Sequence, residues 1–138
     1  MLNDPARRKE VVSAPDFAES KRRFKENNYP FIKMMSDAGV RIVVGTDCGA
    51  EASQTTPVGQ TTHREMVMFV EAGMTPAAAL RAATLDAARV LERTEDPAYG
   101  SIRAGKVADL VVLNGDPLAD INNTTKIDRV MKAGQWVP

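Results

Sequence analysis

Four of the five residues in Val40-Arg41-Ile42-Val43-Val44 are apolar and β-branched, and Gly45-Thr46-Asp47 ends the run. Such a run reads as a strand covered on both faces, the kind found in parallel sheets with helices on either side. It restricts the fold to the α/β class. It also calls for neighbouring strands, yet the sequence on either side has helical spacing.

Before the run, Ser13-Ala14-Pro15-Asp16 has the chemistry of a helix start, with serine as cap and proline in the first turn. That helix is predicted to reach about Glu26 and to break at Asn27-Asn28-Tyr29-Pro30. A second piece carries Phe31, Ile32, Met34, Met35 and Ala38 as its apolar stripe, and Gly39 ends it. After the run, Gly49 to Thr62 is small and polar and reads as a loop. His63 to Ala72 reads as a helix that buries Met66, Val67, Phe69 and Val70. Thr75-Pro76 starts another helix, with Ala79, Leu80 and Ala83 facing inward. Thr84 is predicted to cap a last short helix that turns Leu85, Ala88, Val90 and Leu91 inward. Beyond Arg93 the pattern changes. Ile102, Val107 to Leu113 and Val130 to Val137 read as β segments, with turns at Gly105, Asn114-Gly115 and Gly134.

Composition narrows the function classes. The 18 basic and 18 acidic side chains cancel, which leaves no electrostatic case for nucleic acid or an anionic membrane surface. No apolar run approaches the roughly 18 residues of a membrane span, and no signal pattern opens the chain, so a cytoplasmic location is expected. One cysteine, Cys48, excludes an intrachain disulfide. With the only histidine 15 residues away and no third group to orient it, Cys48 reads as small buried filler. Trp136 and the methionines read as packing residues. Glu65 reads as a capping or pairing residue near a helix start, with no chemistry assigned.

Asp47 is the residue with most chemical promise. At the carboxyl end of a buried strand, a carboxylate stands where α/β folds gather their chemistry. It can bind a divalent cation or accept a proton from water. The plainer alternative is that it caps the following loop.

The run is followed in order by His63-Arg64-Glu65-Met66, Glu71-Ala72-Gly73-Met74-Thr75-Pro76 and Ala79-Leu80-Arg81-Ala82-Ala83-Thr84. Then come Gly100-Ser101-Ile102, Gly105-Lys106-Val107-Ala108-Asp109-Leu110-Val111-Val112-Leu113 and Asp116-Pro117-Leu118-Ala119-Asp120-Ile121. Ile127 to Gly134 completes the series. This series resembles the C-terminal third of the amidohydrolase superfamily, in its imidazolonepropionase-like and prolidase-like branch. The resemblance covers roughly residues 30 to 138.

The resemblance implies an α/β fold that is a C-terminal fragment of a TIM-like barrel, its last strand and closing helices, plus strands of a small β-sandwich. Residues 1–92 would belong to the barrel and 93–138 to the sandwich. Asp47 matches the family's strand-eight aspartate, which ligates a metal, zinc by expectation, and carries a proton between attacking water and leaving amine. The family takes its other ligands from earlier strands, as histidines and a lysine or glutamate. None of those segments is present, and a catalytic zinc normally has three protein ligands.

The chain by itself is therefore expected to be inactive, since one aspartate does not hold a catalytic zinc. Two partners are expected: a missing N-terminal barrel segment, or further copies of the chain. In the complete enzyme the substrate would be a small amide, a cyclic amide or a dipeptide. His63, beyond the loop after the strand, is a substrate-contact candidate, against the plainer reading of an exposed helix-start histidine. The competing function is a non-catalytic, self-associating scaffold that keeps the architecture without the catalyst.

Overall fold

Small side chains set the centre of the molecule. Ala79 and Ala82 are almost wholly buried, and they meet Met66, Phe69, Met74 and Ile121 in one cluster. The computed structural model describes residues 16–47 and 59–138. Four helices come first: α1 (Phe17–Asp37), α2 (Gln60–Glu71), α3 (Pro76–Ala83) and α4 (Leu85–Glu92). Strand β1 (Leu110–Leu113), a 3-10 turn (Ile121–Thr125), β2 (Ile127–Lys132) and β3 (Gln135–Trp136) follow. Alanine at the contact lets α2 and α3 approach closely, so the longer Met66 and Phe69 fill the space between them. Ile121 reaches this cluster from the 3-10 turn, so the β part of the chain shares the core of the helices.

Local chemistry explains most boundaries. Thr75 Oγ1 accepts the Ala78 amide at 3.2 Å and Pro76 takes the first helical position, as expected. Gly39 follows α1 at φ 74, the left-handed turn its sequence predicts. β1, β2 and β3 form an antiparallel sheet in that order, with Val111 opposite Val130 and an irregularity between Val112 and Leu113. Ala133 and Gly134, at φ 48 and 80, make the tight turn from β2 to β3. Asp109 secures that turn: its carboxylate accepts the Ala133 amide at 2.7 Å and the Lys132 ammonium at 3.0 Å. The Ala133 amide first, and then Lys132, hold the Asp109 carboxyl below the ordinary aspartate range.

Several expectations are corrected. Val40 to Val44 is extended but is not a strand, because among the described residues none pairs with it. It still behaves as a buried element on one side: Ile42 and Val44, two residues apart, pack on the core. The predicted break at Asn27–Pro30 is absent, and α1 runs through Pro30 unbroken. Proline there forfeits one backbone bond. Side chains offset the loss: Asn28 Nδ2 donates to the Phe24 carbonyl at 2.8 Å, and Lys25 and Tyr29 both bond to Glu71 of α2. The helix start at Ser13 and Pro15 lies outside the described residues; Asp16 is the N-cap, without a side-chain cap bond. Thr84 does not cap α4. Its hydroxyl donates backward to the Leu80 carbonyl at 2.7 Å. Val90 and Leu91 are exposed, since no described element covers the last turn of α4 on their side. Ile102 and Val107 are outside the sheet: the Val107 amide closes a loop onto the Ala98 carbonyl, which delays the strand to Leu110.

No residue of α1 is buried, although Ile32 packs against the core, so its hold on α2 leans on Glu71. Lys25 and then Tyr29 hold the Glu71 carboxyl below its ordinary 4.5, which favours the charged form in the folded state. Desolvation and then the bond to Glu71 push the Tyr29 phenol above its ordinary 10.0. The sign is therefore fixed at each end. The Glu71 contribution is present above pH 4.5 and is lost as pH falls through the lowered value; the Tyr29 contribution is present below pH 10.0 and is lost above it. Both partners of the Lys25–Glu71 pair are more than a third exposed, so screening limits the contribution to at most about 1 kcal/mol. The melting temperature is expected to fall more steeply between about pH 5 and pH 3 in the parent chain than in E71Q. Parallel slopes would show that Glu71 does not tether α1.

Gly100 yields a second expectation. It sits at φ 86, and a Cβ there would lie 2.9 Å from both Ala88 Cβ and the Thr84 carbonyl oxygen. G100A should destabilise the chain by about 1–3 kcal/mol, read as a lower urea midpoint. An unchanged midpoint would mean that the loop after α4 does not seat on it.

Candidate functional site

The extended segment ends on two anchored amides. The Val44 N–H donates to the Ala82 carbonyl of α3 at 3.2 Å, and the Gly45 N–H donates to Glu65 Oε1 of α2 at 3.0 Å. Thr46 follows, and Asp47 then adopts φ 47, a left-handed backbone. Among non-glycine residues, aspartate is one of the few that enter this region readily, because its short polar side chain bonds locally. Asp47 is exposed, while Ile42, Val43 and Val44 leading to it are half-buried. The result is a carboxylate presented to solvent from the end of a fixed, apolar segment.

His63 lies in the first turn of α2 and is half-buried. Its Nδ1 is fully covered and has no hydrogen-bond partner among the described residues, and the same holds for Thr61 Oγ1 two residues earlier. Two orphaned polar atoms in one helical turn are unusual, since buried polar groups nearly always find partners. The helix begins at Gln60, so the loop expected from Gly49 to Thr62 is shorter at its far end. Cys48 and residues 49–58 lie outside the described residues.

Among the described residues no group of three or more histidine, cysteine, aspartate or glutamate side chains could hold a metal ion. Asp47 supplies a single carboxylate, and the described residues do not by themselves fit a metal centre of the kind that needs three protein ligands. A groove of about 610 Å³ opens between α1 and α2, lined by Phe17, Phe24, Ile32 and Met68 together with Gly45 and Thr46. Neither Asp47 nor His63 lines it. Several of its polar groups are already committed, Lys25 and Tyr29 to Glu71, and Glu65 to Gly45.

Sequence reasoning gave Glu65 a capping or pairing role without naming its partner, which is the Gly45 amide. The signal was its spacing: Glu65 stands four residues before the buried Phe69 and four after Thr61, on one face of α2. A charged residue on an inward face needs a donor, and the Gly45 amide is that donor.

A model of the amidohydrolase family matches residues 2–137. An imidazolonepropionase of Geobacillus kaustophilus is 38% identical over 85 residues, a match that takes in 59% of this chain and 18% of that protein. Among solved structures, a Xaa-Pro dipeptidase aligns with a TM-score of 0.67 at 34% identity, over 79% of this chain and 25% of its own. Molinate hydrolase aligns with a TM-score of 0.67 at 32% identity, over 98% of this chain and 31% of its own. The chain thus spans 18% of the length of that curated relative and 25–31% of these two structures. Among the described residues, no helix is long and apolar enough to cross a membrane.

The orphaned Nδ1 sets an expectation for His63. If the ring is kept for its chemistry, H63L should leave the urea midpoint unchanged or raise it, because a covered polar atom without a partner costs about 1–3 kcal/mol. A loss of more than about 1 kcal/mol would mark the histidine as a packing residue.

Proposed function

The chain belongs to the amidohydrolase family, in the branch of imidazolonepropionases and prolidases, and on that premise we propose that it is the C-terminal segment of a hydrolase cleaving C–N bonds in small amides, cyclic amides or dipeptides. The observation that carries this reading is the family match over residues 2–137 in a chain that spans 18% of its curated relative. Residues 1–92 would supply the last barrel strand and closing helices, and residues 93–138 part of a β-sandwich.

Asp47 is the reactive carboxylate in this reading. Water adds to the amide carbon as Asp47 takes one of its protons. The C–N bond then breaks as Asp47 delivers that proton to the departing nitrogen, leaving the acid and the amine. The family generally depends on a divalent metal, zinc in our reading. With one histidine in the chain, the remaining ligands would have to come from strands outside it. His63, beyond the loop after Asp47, would face the substrate at the mouth of the site.

Uncovered apolar surface supports a need for more protein. Phe31 and Met34 on α1 are more than half exposed, and Val40 to Val44 has no strand beside it among the described residues. The outer edge of β1, Leu-Val-Val-Leu, is likewise unpaired among the described residues. Such edges and patches are completed by other chains or by more of the same chain. The same surfaces also suit a second copy, which is the self-associating scaffold as alternative.

The test is complementation. The chain alone is expected to hydrolyse neither dipeptides nor cyclic amides. Mixed with a family barrel segment that supplies the earlier strands, it should form a complex on sizing with light scattering and gain activity. D47N should lower that activity about 10²- to 10⁴-fold. A complex that forms but is silent, or one indifferent to D47N, would overturn the reading; a metal-free homo-oligomer that refuses the barrel segment would favour the scaffold.

A further inference from the structure

We propose that Glu65 is a positioning residue for Asp47: its carboxylate fixes the backbone from which Asp47 is presented. The proposal rests on the reading that Asp47 is the reactive carboxylate.

The geometry carries it. Successive amides of an extended chain point to opposite sides. The Val44 amide reaches the Ala82 carbonyl of α3, and the Gly45 amide reaches the Glu65 carboxylate of α2. The segment is thus held by two helices that meet in the core. Asp47 stands two residues beyond the grip at φ 47. A left-handed residue holds its place only when its surroundings over-determine it. In an ordinary sheet the Gly45 amide would have a neighbouring strand's carbonyl as its acceptor. Here the Glu65 carboxylate takes that acceptor's place.

Packing alone gives no reason for a carboxylate here. Glu65 is half-buried, adjoins the core residue Met66 and shares a helix face with Phe69. An aliphatic residue would suit that position better, since a half-covered charge costs desolvation. What the charge contributes is a hydrogen bond roughly twice as strong as a neutral one, directed at one backbone amide. Glutamine keeps an oxygen acceptor at the same reach, whereas alanine removes it.

Two measurements test the proposal. In the chain alone, amide exchange at Gly45 followed by NMR should speed up about 10- to 100-fold in E65A and stay near the parent rate in E65Q. In the enzyme completed by the barrel segment, E65A should lower kcat about 10- to 100-fold with KM unchanged, and E65Q should recover most of the loss. The decisive reading is the double variant: on a D47N background, E65A should cost no further activity, because a positioning residue has nothing left to position. An equal loss on both backgrounds, or an undiminished kcat in E65A, overturns the proposal while the role of Asp47 stands. Full activity in D47N would instead overturn the role of Asp47. Should E65A not fold, E65D, which withdraws the acceptor by one methylene, carries the same comparison.

Discussion

Close approach of α2 and α3 is the contact on which the rest of the molecule depends. Alanines at 79 and 82 allow it, Met66 and Phe69 fill it, and the remaining elements attach to the surface it creates. Ile32 brings α1, Ile42 and Val44 bring the extended segment, and Ile121 brings the β part of the chain. Larger side chains at 79 or 82 would push the helices apart and displace all these attachments together, because packed interiors transmit strain. The same contact brings the Ala82 carbonyl and the Glu65 carboxylate to successive amides of one backbone. Core packing and the presentation of Asp47 are therefore one arrangement.

Much of this arrangement was legible in the sequence where local chemistry decides. Thr75-Pro76 and Gly39 marked helix boundaries through capping and backbone preference, and the stripe Met66, Phe69 marked the inner face of α2. Gly134 marked a hairpin turn. Legibility failed where a remote partner decides. Pro30 reads as a helix breaker, but Glu71, more than forty residues away in sequence, supplies bonds that keep α1 continuous. Val40 to Val44 reads as a strand, but a strand exists only through pairing, and its composition describes neighbours that the described residues do not supply. Asp109 was visible as part of a motif, yet its bond to the Ala133 amide depends on a register that no local pattern reveals.

The candidate site divides along the same line. Asp47 was legible because a carboxylate after a β-branched run is locally conspicuous. Glu65 was legible only as a capping or pairing residue, because its partner is an amide twenty residues earlier in the chain. His63 stands between the two cases: its place at a helix start was readable, whereas the covered Nδ1, without a partner among the described residues, is visible only in three dimensions. Glu65 joins α2 to the segment that ends at Asp47.

Pro30 has a consequence for the integrity of the chain. It deprives the Glu26 carbonyl of its helical donor, and no residue of α1 is buried. The turns before it are held by surface pairs of Arg22 with Glu19 and Glu26, and by Lys25 with Glu71. They form the part of the fold that opens without disturbing the core. Those turns also carry Lys21, Arg22, Arg23 and Lys25, four targets for a trypsin-like protease within five residues. A cut there would remove the front of α1, the described helix least secured by burial, while the α2–α3 cluster keeps its own contacts.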